Sequence, residues 1–428
     1  MSNLALLGGR PILAEPLPPT RTIDQAEKQA VLAVLDSGVL SDFYGSYTPR
    51  FFGGERVRAL EAQWARYFGV PFAVSLNSAT SALHAAVLAA GVGPGDEVIV
   101  APYSMSASAS AVLMANAVPV FADIDDRRYC LDLEAVKRAR TERTRAVLVV
   151  NLFGGPADLG PLLDFCHAHG LVLIEDNAQA PGGRYQGQFT GTIGHMGIFS
   201  LNCHKTIQCG EGGVVVTRDE NLARRMQLVR NHGEVVVGDM GLEDISNTLG
   251  GNYRLTELQA AVAGVQLEKL ERLTLPRIAM ADRITAALKD RLELVLPQVA
   301  PGDRHVYYVY PMRILPERAG FSRDTFVKAL LAEGMYAGNY VRPLYLAPMY
   351  QQKIVFGRSG CPLKCPLYHG RAEYPKGLCP VVERLWEREF VYTTTCRWPF
   401  GDREADLFVA AVTKVLDAKD ELIAYERR

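Results

Sequence analysis

Lys205 is the residue whose setting most suits covalent chemistry. It lies within residues 197–213, G-I-F-S-L-N-C-H-K-T-I-Q-C-G-E-G-G, five positions after Ser200 and shortly before Gly210, Gly212 and Gly213. A valine run at 214–216 follows and reads as a buried strand. The lysine therefore occupies a tight, glycine-terminated connection between two strands, where the backbone can turn sharply or another group can approach closely. Held there and partly desolvated, a lysine forms Schiff bases with carbonyls. A surface lysine in a glycine-rich turn has the same local sequence, so this segment alone leaves both readings open.

Two other segments carry chemistry. The apolar run 171–174 ends in E-D-N-A-Q-A-P, which sets Asp176 and Gln179 at the end of a strand. A carboxylate there must find a cationic partner or lose its charge. A protonated pyridinium nitrogen is one such partner; capping of the following turn is the competing role. Further upstream, N-S-A-T-S-A-L places Ser78, Ala79, Thr80 and Ser81 at a helix start. Backbone N–H groups and hydroxyls at that positive end suit a phosphate, although a plain N-cap has the same sequence.

The elements that must position these residues alternate. Helices are expected at 57–68, 79–90, 106–115, 133–140 and 159–169, with strands at 72–76, 97–100, 118–121, 145–150 and 171–175. That spacing predicts parallel βαβ units with helices on both faces, whose ligands bind beyond the carboxyl ends of the strands. A helix at 221–231 and a polar loop at 233–247 come next. A long helical pattern then runs to about 288, interrupted at Pro276, where a hinge between domains is expected. Beyond it the pattern gives a strand at 306–314, a helix at 323–333, a Pro/Tyr/Cys-rich stretch at 340–399 and a closing helix at 410–422. Residues 1–22 read as a proline-rich arm lying across the body or a neighbouring subunit.

With 428 residues, two domains are the expectation. A net charge of −1 gives no reason to expect nucleic acid or an anionic membrane as partner. No apolar run approaches the roughly 20 residues of a membrane span, and the N-terminus has no signal-peptide pattern, so a cytoplasmic location is expected. Eight cysteines in a chain of this size fit reduced thiols.

Taken together, N-S-A-T-S-A-L, E-D-N-A-Q, S-L-N-C-H-K…G-E-G-G, G-G-N-Y-R-L-T-E-L-Q-A-A and C-P-V-V-E resemble the DegT/DnrJ/StrS family of sugar aminotransferases, over nearly the whole chain. The resemblance implies an α/β enzyme of fold type I that depends on pyridoxal 5'-phosphate. It implies a large domain (1–275) around a mostly parallel seven-stranded sheet, and a smaller α+β C-terminal domain (276–428). Lys205 would hold the cofactor as a Schiff base and shuttle a proton. Asp176 would keep the ring nitrogen protonated, and Gln179 would bond the ring hydroxyl. Ser78, Ala79, Thr80 and Ser200 would surround the phosphate. Asn252 would reach the phosphate of a partner subunit, which requires a homodimer with shared sites.

The chain departs from the family pattern in places. Met105 aligns where relatives place a ring over the cofactor, with Tyr103 as the other candidate. Asn339 and Tyr345 replace histidines in N-Y-V-R-P-L-Y, a string that usually lines the sugar site together with Tyr340. His204 is either a substrate contact or a packed neighbour. The implied reaction moves an amino group from glutamate or glutamine to a keto-sugar or keto-cyclitol. The opening L-A-L-L-G-G-R-P resembles the cyclitol-aminating members. Sugar dehydration or epimerisation on the same scaffold is the alternative, and the presence of Lys205 favours transamination. Cys361, Cys365, His369 and Cys379 are not explained by the family; they read as loop thiols, with a zinc site as the alternative.

Overall fold

Continuous apolar runs such as 98–100 and 147–150 are what a parallel sheet covered on both faces requires. The structure, a computed structural model, describes residues 3–427. Its main sheet contains β1 (Phe72–Leu76), β2 (Glu97–Val100), β3 (Val118–Phe121), β4 (Thr144–Val150) and β5 (Val172–Asp176). After a short hairpin, β6 (Arg184–Tyr185) and β7 (Gln188–Phe189), the sheet is completed by β8 (Met196–Ser200) and β9 (Gly213–Thr217). The spatial order is β1-β9-β8-β5-β4-β2-β3, with only β9 antiparallel to its neighbours.

Register puts the chemistry on one rim. Leu76 and Ser200 both pair with Gly213, Asp176 pairs with Ile198, and Val150 pairs with Asp176. The carboxyl ends of β1, β8, β5 and β4 therefore lie side by side, as expected for ligand binding in such sheets. A Cβ on Gly213 would come 2.6 Å from the carbonyl of Ser78, so only glycine lets β9 run this close to the helix Ala79–Ala89.

A second, antiparallel sheet of β10 (Leu294–Val295), β11 (Tyr310–Ile314) and β12 (Phe390–Thr393) anchors the C-terminal part. Its core joins Met280, Ile284 and Leu288 to Met312, Phe326 and Phe408, and it includes Leu4 from the arm. Three expectations change here. The helix Leu270–Leu288 passes through Pro276, because Leu270, Leu273, Arg277 and Met280 are buried on both sides of it. The break falls instead at Lys269, between that helix and Glu257–Glu268. The strand expected at 306–314 is only β11, since Tyr307 has a left-handed backbone (φ 49°). The closing helix is two helices, Asp402–Asp417 and Lys419–Glu426, separated at Ala418.

Lys269 is held by Glu27 (2.5 Å) and Asp24 (2.9 Å) at the start of the helix Gln25–Ser37. Burial opposes ionisation of Glu27, but bonds from Lys269, the Asp24 amide and Gln266 outweigh it and hold the carboxyl below its usual range. Stability from this group is present above the unfolded carboxyl value and is lost as pH falls through the lowered folded one. Lys269→Met strands a buried carboxylate and should cost about 3 kcal/mol at pH 7. Urea midpoints at pH 7 and at pH 4 should show the penalty shrinking at the lower pH; an equal penalty at both would contradict it.

Candidate active site

The loop 201–212 between β8 and β9 is fixed by its backbone. Leu201 N–H donates to Gly212 O (2.9 Å), Cys209 N–H to Leu201 O (2.9 Å) and Lys205 N–H to Asn202 O (2.9 Å). Leu201, Thr206 and Ile207 are buried beneath it. Lys205 itself is half-buried, with its Nζ 4.8 Å from the centroid of the Tyr308 ring. Burial lowers the pKa of the amine, and the negative charge of Asp176 opposes that shift. A lowered lysine is a better nucleophile toward carbonyls at neutral pH.

Alternation along β5 sends consecutive carboxylates to opposite faces. Glu175 accepts the amides of Gly191 (2.7 Å), Ile193 (2.8 Å) and Gly194 (2.6 Å), which orders the loop leading into β8. Asp176, 5% exposed, accepts Ser108 Oγ (2.8 Å) and the Ala178 amide (3.2 Å). Burial pushes its carboxyl above the usual range, while Ser108, Ala178 and Lys205 pull it down. A buried carboxylate touched only by neutral donors is a site for a cation. Gln179 accepts from Phe153 N–H (2.8 Å) and donates to the hydroxyl of Tyr340 (3.1 Å), which leaves one of its two amide hydrogens for another group.

At the end of β1, Ser78 caps the helix Ala79–Ala89: its Oγ accepts the Ser81 amide (3.0 Å) and lies 2.8 Å from Ser81 Oγ. The first intrahelical bond is Ala82 N–H to Ser78 O (3.0 Å), so the amides of Ala79 and Thr80 precede it and face outward. Ser200 Oγ accepts the Asn202 amide (3.3 Å). The carbonyl of Asn252 accepts Asn77 Nδ2 (3.4 Å), and Asn252 is exposed.

A cavity of about 800 Å³ opens beside the lysine. His204, Lys205 and Tyr340 line it as expected, and so do Tyr308, Arg277 and Arg397, which the sequence reading missed. Residues 19–23 of the arm form another wall. Gln266 fastens that wall, accepting Thr22 Oγ1 (3.1 Å) and the amide of Gln208 (3.2 Å) on the lysine loop. The one sequence signal for Arg277 was a charged residue on the buried face of an otherwise apolar helix.

One expected contact is corrected. Tyr345 is fully buried away from the cavity, packed against Phe121, with its hydroxyl donating to Glu383. A tyrosine that satisfies its hydroxyl inside a core is not available to a substrate. Met105 is 62% exposed, on the turn that Leu344 N–H holds at Pro102 O (2.8 Å). Tyr103, the other stacking candidate, is buried edge-on to Tyr340 at 5.2 Å. Among the described residues no group of three or more His, Cys, Asp or Glu could hold a metal ion, and Cys379 is buried while His369 is exposed. Nor is any described helix long and apolar enough to cross a membrane.

The arrangement fits pyridoxal phosphate: a lowered lysine, a buried carboxylate awaiting a cation, and open amides at a helix start on the same rim. The DegT/DnrJ/EryC1/StrS aminotransferase family model matches residues 21–372. The chain belongs to this family. This aminotransferase is 41% identical over 301 residues to an L-glutamine:scyllo-inosose aminotransferase of Streptomyces griseus, covering 68% of this chain and 71% of the relative. It is 36% identical over 435 residues to an L-glutamine:2-deoxy-scyllo-inosose aminotransferase of Streptomyces kanamyceticus, covering 99% of both. Among solved structures, DesI in the presence of its TDP-sugar product superposes with a TM-score of 0.81 at 27% identity, covering 100% of this chain and 99% of that one. The enzyme is a pyridoxal-phosphate-dependent aminotransferase of the sugar and cyclitol kind.

Proposed function

We propose that this aminotransferase moves the α-amino group of glutamine to a keto-cyclitol of the inosose type. The observation that carries the reading is the end-to-end likeness to a glutamine-dependent inosose aminotransferase. The opening L-A-L-L-G-G-R-P supports it as well. Pyridoxal phosphate, when bound, supplies an aldehyde that takes up nitrogen and a ring that accepts an electron pair. The chain's own residues do the rest. Lys205 would hold the aldehyde carbon, and its amine would carry the proton to and from the substrate carbon. Asp176 keeps the ring nitrogen protonated. The amides of Ala79 and Thr80, the Thr80 hydroxyl and Ser200 hold the phosphate. Tyr340 and Gln179 position the ring's hydroxyl edge, and His204 faces the acceptor.

The exposed Asn252, beside Asn77 on the phosphate rim, supports a homodimer in which it completes the partner's site. A cytoplasmic location and a domain boundary near residue 276 belong to the same reading. The boundary is supported by Leu270 and Leu273 packing in one core and Met280 and Ile284 in another.

A panel of keto-cyclitols and nucleotide-linked keto-sugars, scored by mass for the amino product, tests the acceptor. Amination of scyllo-inosose or its 2-deoxy form in preference to every nucleotide sugar is expected. Product from nucleotide-linked ketones alone would overturn the proposal.

A further inference from the structure

Arg277 and Arg397 line the cavity that Lys205 faces, and among the described residues neither has a counter-ion. Arg277 is 8% exposed. Its Nη1 donates to three carbonyls, those of Tyr307 (3.2 Å), Tyr308 (3.3 Å) and Cys396 (3.4 Å). Its Nε, like the Nε of Arg397, is buried without a partner. Among the described residues the charged group acting most on Arg277 is Arg397, which with burial lowers it to about 10. Phenols of Tyr308, Tyr336 and Tyr392 lie near Arg397, and among the described residues it forms no ion pair with a carboxylate. The other three buried arginines are paired: Arg230 with Glu61, Arg313 with Asp126 and Glu389, and Arg323 with Asp324. Two desolvated like charges without a counter-ion are costly to keep unless an anion joins them.

We propose that the Arg277–Arg397 pair receives the carboxylate of the amino-acid donor while the donor's amino nitrogen faces Lys205. This rests on the aminotransferase reading and names the group that recognises the donor. Arg277 and Lys205 meet the same residue, Tyr308, which favours a carboxylate close to the amine over a remote phosphate. Arg277 holds the carbonyl of the residue whose ring lies under the Lys205 amine. In an α-amino acid the carboxylate is attached to the amine-bearing carbon, whereas in a nucleotide sugar a ring separates the diphosphate from most reacting positions. Guanidinium also matches carboxylate geometry in paired hydrogen bonds. A keto-cyclitol carries no charge, so the donor and acceptor halves of the cycle depend on this pair differently.

The test uses the cofactor-loaded enzyme and its Arg397→Gln and Arg397→Lys variants. Arg397→Gln should raise the KM for glutamine by about tenfold or more, the loss of one charge-assisted bond. The KM for the ketone acceptor should stay within about twofold, and Arg397→Lys should recover part of the loss. Calorimetric binding of glutarate, a carboxylate without an amine, should weaken in parallel. Unchanged glutamine KM and glutarate affinity in Arg397→Gln would overturn the proposal, as would a loss confined to UDP binding. Should Arg397→Gln fail to fold, Arg397→Lys and Arg277→Lys decide by the same glutamine-against-acceptor split. A wild-type enzyme that reacts with neither glutamine nor glutamate would instead contradict the aminotransferase reading itself.

Discussion

Lys205→Ala should abolish amino transfer, by about 10⁴-fold or more, because one side chain both anchors the cofactor and carries the proton. Few structural consequences should accompany the loss. The loop around the lysine is held by main-chain bonds at Leu201, Lys205 and Cys209 and by the buried Leu201 and Ile207, none of which needs the amine. The melting temperature of the cofactor-free variant should therefore stay near that of the cofactor-free parent. Borohydride reduction followed by peptide mass should find the cofactor adduct at residue 205 in the parent and nowhere in the variant. Turnover within tenfold of the parent would remove Lys205 from the mechanism.

The second large effect belongs to Asp176→Asn, expected to lower turnover by about 10²–10³-fold while the cofactor still binds. An amide in that position can still engage Ser108, so the strand end keeps its shape, but it cannot hold a proton on the ring nitrogen. The stability effect should run the other way. Asp176 has a raised carboxyl value because of burial, so the cofactor-free fold binds its proton more tightly than the unfolded chain does. Its contribution is therefore present at low pH and declines as pH rises from the ordinary carboxyl value through the raised one. The asparagine variant lacks that decline. Cofactor-free Asp176→Asn should be at least as stable as the parent at pH 7; lower stability together with full turnover would contradict both parts.

Much of this was legible from residues alone, because the sheet imposes period and order. Apolar runs that end at Asp176, before Ser78 and before the Lys205 loop set these residues on one rim, and register makes them neighbours. What could not be read depends on contacts between segments far apart in the chain. Arg277, on a helix after the main sheet, meets Arg397, more than a hundred residues later, only through the folding of the C-terminal part. The arm at 19–23 reaches the cavity through Gln266, a residue whose sequence neighbourhood reads as plain helix. Tyr345 misled because aligned position does not fix which way a short 3₁₀ turn, Leu344–Leu346, sends its side chain. Pro276 marked a real change in core but not a break, since buried residues on both sides carry the helix through it.

The absence of a side chain at Gly213 has a practical consequence for anyone altering this enzyme's substrate range. Because β9 there presses on the start of the helix that would hold the phosphate, a mutation that adds even a methyl group must displace that helix start or the strand end that pairs with Ser200. The clash is with main-chain atoms, so trimming a neighbouring side chain cannot relieve it. Libraries aimed at new acceptors should keep position 213 fixed and spend their diversity on the arm wall at Pro19, Thr20 and Arg21, leaving Thr22, which Gln266 ties to the lysine loop, unchanged.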